Sequence, residues 1–264
     1  MGRWAIGWVA GALVALTAAC TTPSSAPATD PTPTSDRSST PAPTTSPDPD
    51  ADEDPTAGPS PRSAGGAAGL PAYAASIDPI GPALRDRMRS SHRAGCPVRL
   101  ADLRYLRVGY VGFDGRARTG ELVVHRDHAA DVVAVFERLY AARWPIRRMV
   151  LVDEYAGDDD RSMAANNTSA YNCRPVAGTG RWSRHAYGAA IDLNPVQNPY
   201  VQGTAIAPPA GRQYAALDRS PGADVPAGVI RSDDLVVRAF ARIGWAWGGE
   251  WTSSRDYQHF DVGG

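Results

Sequence analysis

Alternation of apolar and polar residues predicts several short strands after residue 100 of the chain. Residues 104–111 alternate, with Leu106, Val108 and Tyr110 on one face. A turn signal at Asp114-Gly115 then indicates a hairpin with a returning strand at residues 121–124. Further strands are predicted at residues 146–152, 191–193 and around 259–262.

Helical spacing and capping signals predict helices between these strands. Residues 80–93 place Leu84 and Met88 on one face, and residues 130–144 have apolar side chains at helical spacing up to Pro145. Ser232 is the predicted N-cap of a helix that ends before Gly244, and residues 158–172 are polar, as in a loop or short helix. Because helices and strands do not alternate regularly, we expect an α+β fold with a small antiparallel sheet, flanking helices and a cleft.

The N-terminal quarter of the chain lacks such patterns. Residues 1–20 combine a basic start, an uncharged apolar run and small residues before Cys20, which is typical of a secretory signal. Cys20 resembles the lipid acceptor of a bacterial lipoprotein, although Thr17 stands where leucine is usual; ordinary cleavage and an uncleaved anchor are the alternatives. Residues 21–69 contain no Val, Ile, Leu, Met, Phe, Trp or Tyr. Such a segment has no apolar side chains to bury, which predicts a disordered linker. The sequence therefore predicts one folded domain, residues 70–264.

Net charge limits the expected binding partners, and the number of cysteines bears on the redox state of the cellular compartment. The net charge is −1 and no basic stripe stands out, so we expect no binding to nucleic acid. The chain has three cysteines, and if Cys20 carries lipid, Cys96 and Cys173 remain as a pair. In an oxidising compartment that pair is expected to form a disulfide; two buried free thiols are the alternative.

Two short segments carry candidate metal chemistry. His185 and Asp192 lie close together in the first segment, and Asp256 and His259 form the second. Two imidazoles and a carboxylate are a ligand set of catalytic zinc sites, which leave one position open for water. Asp256 is then a candidate base for that water, and Glu250 is a rival. Structural hydrogen bonding among the same residues is the non-functional alternative.

Strand geometry adds a condition to this hypothesis. If Phe260 and Val262 share one face of a strand, His259 lies on the other, and strict alternation places Asp256 opposite His259. A turn or bulge between Asp256 and His259 is therefore required if both face one metal. The tryptophans that precede them either line the cleft or fill the core.

These motifs resemble the zinc peptidases of peptidoglycan. The pattern His185-x-x-Gly188-x-Ala190-x-Asp192, followed by Asp256-x-x-His259-Phe260, is similar to VanY-type D-alanyl-D-alanine carboxypeptidases and to L-alanyl-D-glutamate endopeptidases of the lysostaphin and hedgehog-like fold. The resemblance covers residues 161–260 well, including residues 161–163, 166–172 and 194–195, and covers residues 70–160 only loosely.

The resemblance implies roles for individual residues. His185, Asp192 and His259 would hold Zn²⁺, Asp256 would be the general base, and Arg161 would bind the substrate carboxylate or the developing oxyanion. A structural ion pair within Asp158–Asp160 is the alternative for Arg161. Ser183 and Asn167 align with polar positions that contact substrate.

The expected function is hydrolysis of an amide bond in a peptidoglycan stem peptide, by a carboxypeptidase or an endopeptidase. The expected location is the outer face of the cytoplasmic membrane or the cell wall of a bacterium, with a membrane anchor at Cys20. A lipoprotein that binds cell-wall peptide through the same zinc fold, without turnover, is the alternative function.

Overall fold

The computed structural model of the chain describes residues 69–263. The predictions for the signal segment and Cys20, and for the linker up to residue 68, lie outside the described residues. Within residues 69–263, no helix has the length and apolar character needed to cross a membrane.

Short helices and strands alternate irregularly along the described chain. The α-helices are α1 (Pro82–Arg87), α2 (Ala129–Ala141), α3 (Asp159–Ala164) and α4 (Leu235–Ala241). The strands are β1 (Ala75–Pro79), β2 (Leu103–Val111), β3 (Ala117–His125), β4 (Arg148–Met149), β5 (Asn167–Thr168), β6 (Ala190–Asp192), β7 (Tyr200–Gln202), β8 (Ala205–Ala207), β9 (Trp245–Trp247), β10 (Arg255–Asp256) and β11 (His259–Val262). Single-turn 3₁₀ helices include Arg184–Tyr187 and Gly248–Glu250.

The strands form small antiparallel sheets rather than one large one. Three-stranded sheets have the orders β1-β2-β3, β10-β7-β8 and β6-β11-β9, and β4 and β5 form a parallel pair. The predicted α+β class is therefore confirmed. The predicted hairpin is the β2-β3 pair, in which Leu106 faces Leu122.

A hydrophobic core supports the β6-β11-β9 sheet from one side. Phe260 of β11 is fully buried and stacks on Phe240 of α4, with ring centroids 4.2 Å apart. Trp245 and Trp247 of β9 are also buried, so these two tryptophans fill the core. The opposite face of β11 is thereby left for polar side chains.

Three predicted elements differ from the structure. The helix predicted at residues 80–93 ends at Arg87, and turns follow it. The strand predicted at residues 146–152 shrinks to β4, because the Asn167 amide forms hydrogen bonds with both the N–H and the C=O of Val150 in place of a neighbouring strand. The N-cap of α4 is Asp234 rather than Ser232, since the Asp234 carboxylate accepts from the Val236 N–H.

Candidate metal centre

The antiparallel pairing of β6 and β11 places a carboxylate opposite an imidazole. Asp192 is the cross-strand partner of His259, and Ile191 is the partner of Phe260. Because successive side chains alternate between faces, burial of Ile191 and Phe260 in the core directs Asp192 and His259 to the other face.

The third side chain of the cluster comes from the 3₁₀ helix that precedes β6. The Ser183 hydroxyl accepts a hydrogen bond from the His185 N–H, which caps this helix. The chain then turns at Gly188, whose φ is +65°, and enters β6. A β-carbon at Gly188 would lie 2.5 Å from the backbone nitrogen of His125, so only glycine allows this close approach.

The three side chains meet at a spacing that suits a metal ion. His185 Nε2 lies 3.2 Å from Asp192 Oδ2 and 3.3 Å from His259 Nδ1. The third separation, from His259 Nδ1 to Asp192 Oδ1, is 2.9 Å. Zinc ligands at about 2.0–2.2 Å in tetrahedral geometry are separated by roughly 3.3 Å. The donor set and its spacing therefore fit zinc.

The electrostatics of the cluster favour a positive charge beside Asp192. All three residues are buried, at 3%, 4% and 6% exposure for His185, Asp192 and His259. Burial alone would raise the pKa of Asp192, but the charges and hydrogen bonds of the two histidines outweigh it and hold that pKa far below its usual range. Burial alone would lower the pKa of His259, but the carboxylates of Asp192 and Asp261, which lie 2.9 Å and 3.5 Å from its ring nitrogens, reverse the effect and raise that pKa. A proton or a metal ion is thus needed to balance the buried carboxylate.

Asp256 lies beside this cluster because the chain turns between β10 and β11. Residues 257–258 form a turn, as the strand argument required. A β-carbon built at Gly248 would lie 3.1 Å from the β-carbon of Asp256 and 3.3 Å from that of His259. Both side chains therefore begin next to Gly248. Gly248 is a site residue that sequence analysis did not single out.

The environment of Asp256 favours its protonated form. Asp256 Oδ1 is inaccessible to solvent and has no hydrogen-bond partner within residues 69–263. Burial raises the pKa of Asp256 well above its usual value; the His259 charge opposes this shift and the Asp192 charge adds to it. A carboxyl group with a raised pKa is suited to exchange protons near neutral pH.

A buried arginine holds the segment around Asp256. The Arg219 guanidinium donates to Asn198 Oδ1 and to backbone carbonyls that include that of Ile230, and it stacks 4.0 Å over the Tyr257 ring. Trp247 Nε1 donates to the Tyr257 carbonyl. These contacts fix the turn that follows Asp256.

The remaining predicted site residues occupy different environments. Arg161 is exposed on α3, and its guanidinium forms no ion pair with any described residue. Asp159 pairs with Arg174 instead, so the structure does not show the ion pair that was the alternative for Arg161. A contact of 3.5 Å between Gln258 Nε2 and Met163 Sδ places α3 beside the turn at residues 257–258.

Asn167 and Ser183 serve the local fold in this structure. Asn167 is fully buried and donates to Ser162 Oγ as well as to the Val150 carbonyl. Ser183 is buried as the cap of the helix that carries His185. Their contact with substrate stays a prediction.

Glu250 and Trp251 lie on the loop between β9 and β10. Glu250 is exposed, and in residues 69–263 it forms no hydrogen bond or ion pair with the cluster. Trp251 packs beside His259, with ring centroids 5.3 Å apart. One aromatic residue of this region therefore borders the site, while Trp245 and Trp247 belong to the core.

The structure contains the expected cross-link between Cys96 and Cys173. It lies in a smaller hydrophobic cluster with Met88, Leu103 and Tyr171. The backbone N–H of Asn172, next to Cys173, donates to the His185 carbonyl. The disulfide is thus close in sequence to a segment that contacts the 3₁₀ helix of His185.

Comparison with known proteins supports the resemblance seen in the motifs. The family model described as D-alanyl-D-alanine carboxypeptidase matches residues 177–262, which include His185, Asp192, Asp256 and His259. No curated protein matches the chain, and no solved structure does. The match supports a peptidase, and the resemblance of this segment to the D-alanyl-D-alanine carboxypeptidase family is confirmed.

Proposed function

We propose that the protein is a zinc-dependent peptidase that hydrolyses an amide bond in peptidoglycan stem peptides. The observation that carries the proposal is the buried His185, Asp192 and His259 cluster, with ligand atoms that all lie within 4.8 Å of one another. It lies inside the segment that matches the carboxypeptidase family.

The three residues would hold zinc through His185 Nε2, His259 Nδ1 and a carboxylate oxygen of Asp192. When bound, zinc supplies a Lewis acid that polarises an amide carbonyl and acidifies a water molecule. Asp256 accepts a proton from the attacking water and returns it to the nitrogen of the leaving amine. In the metal-free site burial raises the pKa of this carboxyl, and a bound Zn²⁺ would favour the ionised form that accepts the proton.

Arg161 is the candidate for binding negative charge on the substrate. It is exposed and has no ionic partner among the described residues, so its guanidinium is available. Guanidinium binds carboxylates through two parallel hydrogen bonds, which suits the terminal carboxylate of a stem peptide. A carboxypeptidase requires such recognition, and an L-alanyl-D-glutamate endopeptidase requires an open groove instead.

An exported location agrees with the same proposal. Residues 1–20 have the composition of a secretory signal and Cys20 has the place of a lipid acceptor. The disulfide between Cys96 and Cys173 is of a kind that persists in oxidising compartments. The protein would then meet its substrate at the outer face of the cytoplasmic membrane or in the cell wall.

The test is mass spectrometry of purified muropeptides incubated with the protein, with chelator, and with chelator followed by zinc. Loss of a terminal D-alanine that requires zinc identifies a carboxypeptidase, and release of the stem at L-alanine identifies an endopeptidase. No cleavage by protein with zinc bound stoichiometrically would contradict the proposal and favour the alternative, a peptide-binding lipoprotein. Intact Asp256 is the observation against that alternative.

A further inference from the structure

Of the two ring nitrogens of His259, Nε2 lies outside the proposed metal site. It faces the carboxylate of Asp261, a residue that the proposed function does not use. Nδ1 of His259 points at Asp192 and His185, so Nε2 points out of the cluster. Nε2 lies 3.5 Å from Oδ2 of Asp261, the carboxylate that faces this nitrogen within the described residues.

His259 and Asp261 both belong to strand β11. Asp261 follows His259 by two positions and therefore lies on the same face of the strand. Its cross-strand partners are Ala190 and Ala246, whose small side chains leave room beside the carboxylate.

Asp261 is buried with few donors around it. Its exposure is 6%, and Oδ1 has no hydrogen-bond partner in residues 69–263. Among the described residues, the one guanidinium that approaches is that of Arg184, with Nε 3.9 Å from Oδ2 and a side chain that is 51% exposed. Burial of a carboxylate without donors is costly, so the Nε2–H of His259 is the donor that Asp261 needs.

We propose that Asp261 is a positioning residue that sets the tautomer of His259. By accepting from Nε2–H, it keeps the proton on that nitrogen and leaves the lone pair of Nδ1 directed at the metal position. His185 is oriented differently, since its Nδ1 lies 2.5 Å from the Ala170 carbonyl oxygen. The backbone thus orients His185, and Asp261, whose Oδ2 lies 3.5 Å from Nε2, is in position to orient His259. The inference rests on the proposed function, because it assumes that the cluster holds a metal.

The test measures zinc affinity and histidine tautomer in the full-length protein. Competition with a chromophoric chelator should show that Asp261→Ala binds zinc about 10–100-fold more weakly than the wild type. Asp261→Asn keeps the shape of the side chain and one acceptor oxygen, so its zinc affinity should fall less than that of Asp261→Ala. Asp131→Asn makes the same chemical change at an exposed position of α2 and should bind as the wild type does.

Nitrogen-15 NMR of the zinc-loaded wild type provides a readout that a merely structural role would not move. The His259 ring should carry its proton on Nε2, and the Asp261→Ala variant should show this proton in faster exchange with solvent. Wild-type affinity in both Asp261 variants, or a His259 proton on Nδ1, overturns the inference and leaves the proposed function standing. Failure of the wild type to bind zinc overturns the proposed function itself.

Discussion

At the scale of single residues, substitution of Asp256 would separate the proposed peptidase from a binding protein. Asp256 lies beside the cluster of His185, Asp192 and His259 and its pKa is raised, while Glu250 is exposed. We expect Asp256→Asn to lower kcat by about 10²–10⁴-fold, because the amide cannot accept a proton. Zinc content should stay at the wild-type level.

Glu250→Gln is the matched control on the neighbouring loop, and its activity should equal that of the wild type. Full activity of Asp256→Asn together with loss in Glu250→Gln would reverse the two roles.

The pH dependence of kcat/KM tests the same residue in the wild type. A general base acts in its ionised form, so activity should fall as the pH drops below the pKa of Asp256. Burial raises that pKa in the metal-free site, and the charge of Zn²⁺ would lower it again when the metal is bound. An acid limb that stays unchanged in Asp256→Asn, measured with zinc still bound, would contradict the assignment.

At the scale of elements, the Gly188 turn sets the distance between His185 and β6. Its left-handed backbone disfavours a β-carbon, and its close approach to His125 excludes one. Gly188→Ala should destabilise the protein and weaken zinc binding, because the 3₁₀ helix must move away from β3. Gly203→Ala is the control: its φ is +57°, and nothing lies within 4 Å of a β-carbon there.

Urea unfolding and zinc titration of the two glycine variants make this comparison. The free energy of unfolding of Gly203→Ala should fall only by the cost of placing a non-glycine residue in a left-handed backbone conformation, about 1–2 kcal/mol. Equal losses in both variants would show that the close approach to His125 has no consequence.

The elements also show how far sequence reasoning reaches. Local sequence patterns predicted the β2-β3 hairpin. Alternation in a strand is also a local property, so burial of Ile191 and Phe260 predicted the face on which Asp192 and His259 lie. They did not predict that the Asn167 amide replaces a strand beside Val150, or that Gly248 packs against Asp256 and His259. Those are contacts between distant segments, which no local pattern contains.

At the scale of the whole molecule, the disulfide links parts of the chain separated by 77 positions. In the chain-entropy model, closing a loop of this length stabilises the folded state by roughly 4–5 kcal/mol. Replacing Cys96 and Cys173 together by serine should lower the free energy of unfolding by an amount of this order. Urea unfolding of the metal-free proteins measures it.

The metal centre depends on the same cross-link only indirectly. The Cys173 region meets the 3₁₀ helix of His185 through the Asn172 N–H, whereas β6 and β11 are held by the core around Phe260. We therefore expect the double-serine variant to bind zinc with wild-type stoichiometry at low temperature and to lose it at a lower temperature on heating. Wild-type protein kept in reductant should behave like this variant. Loss of zinc from the folded variant at low temperature would show instead that the disulfide shapes the ligand geometry directly.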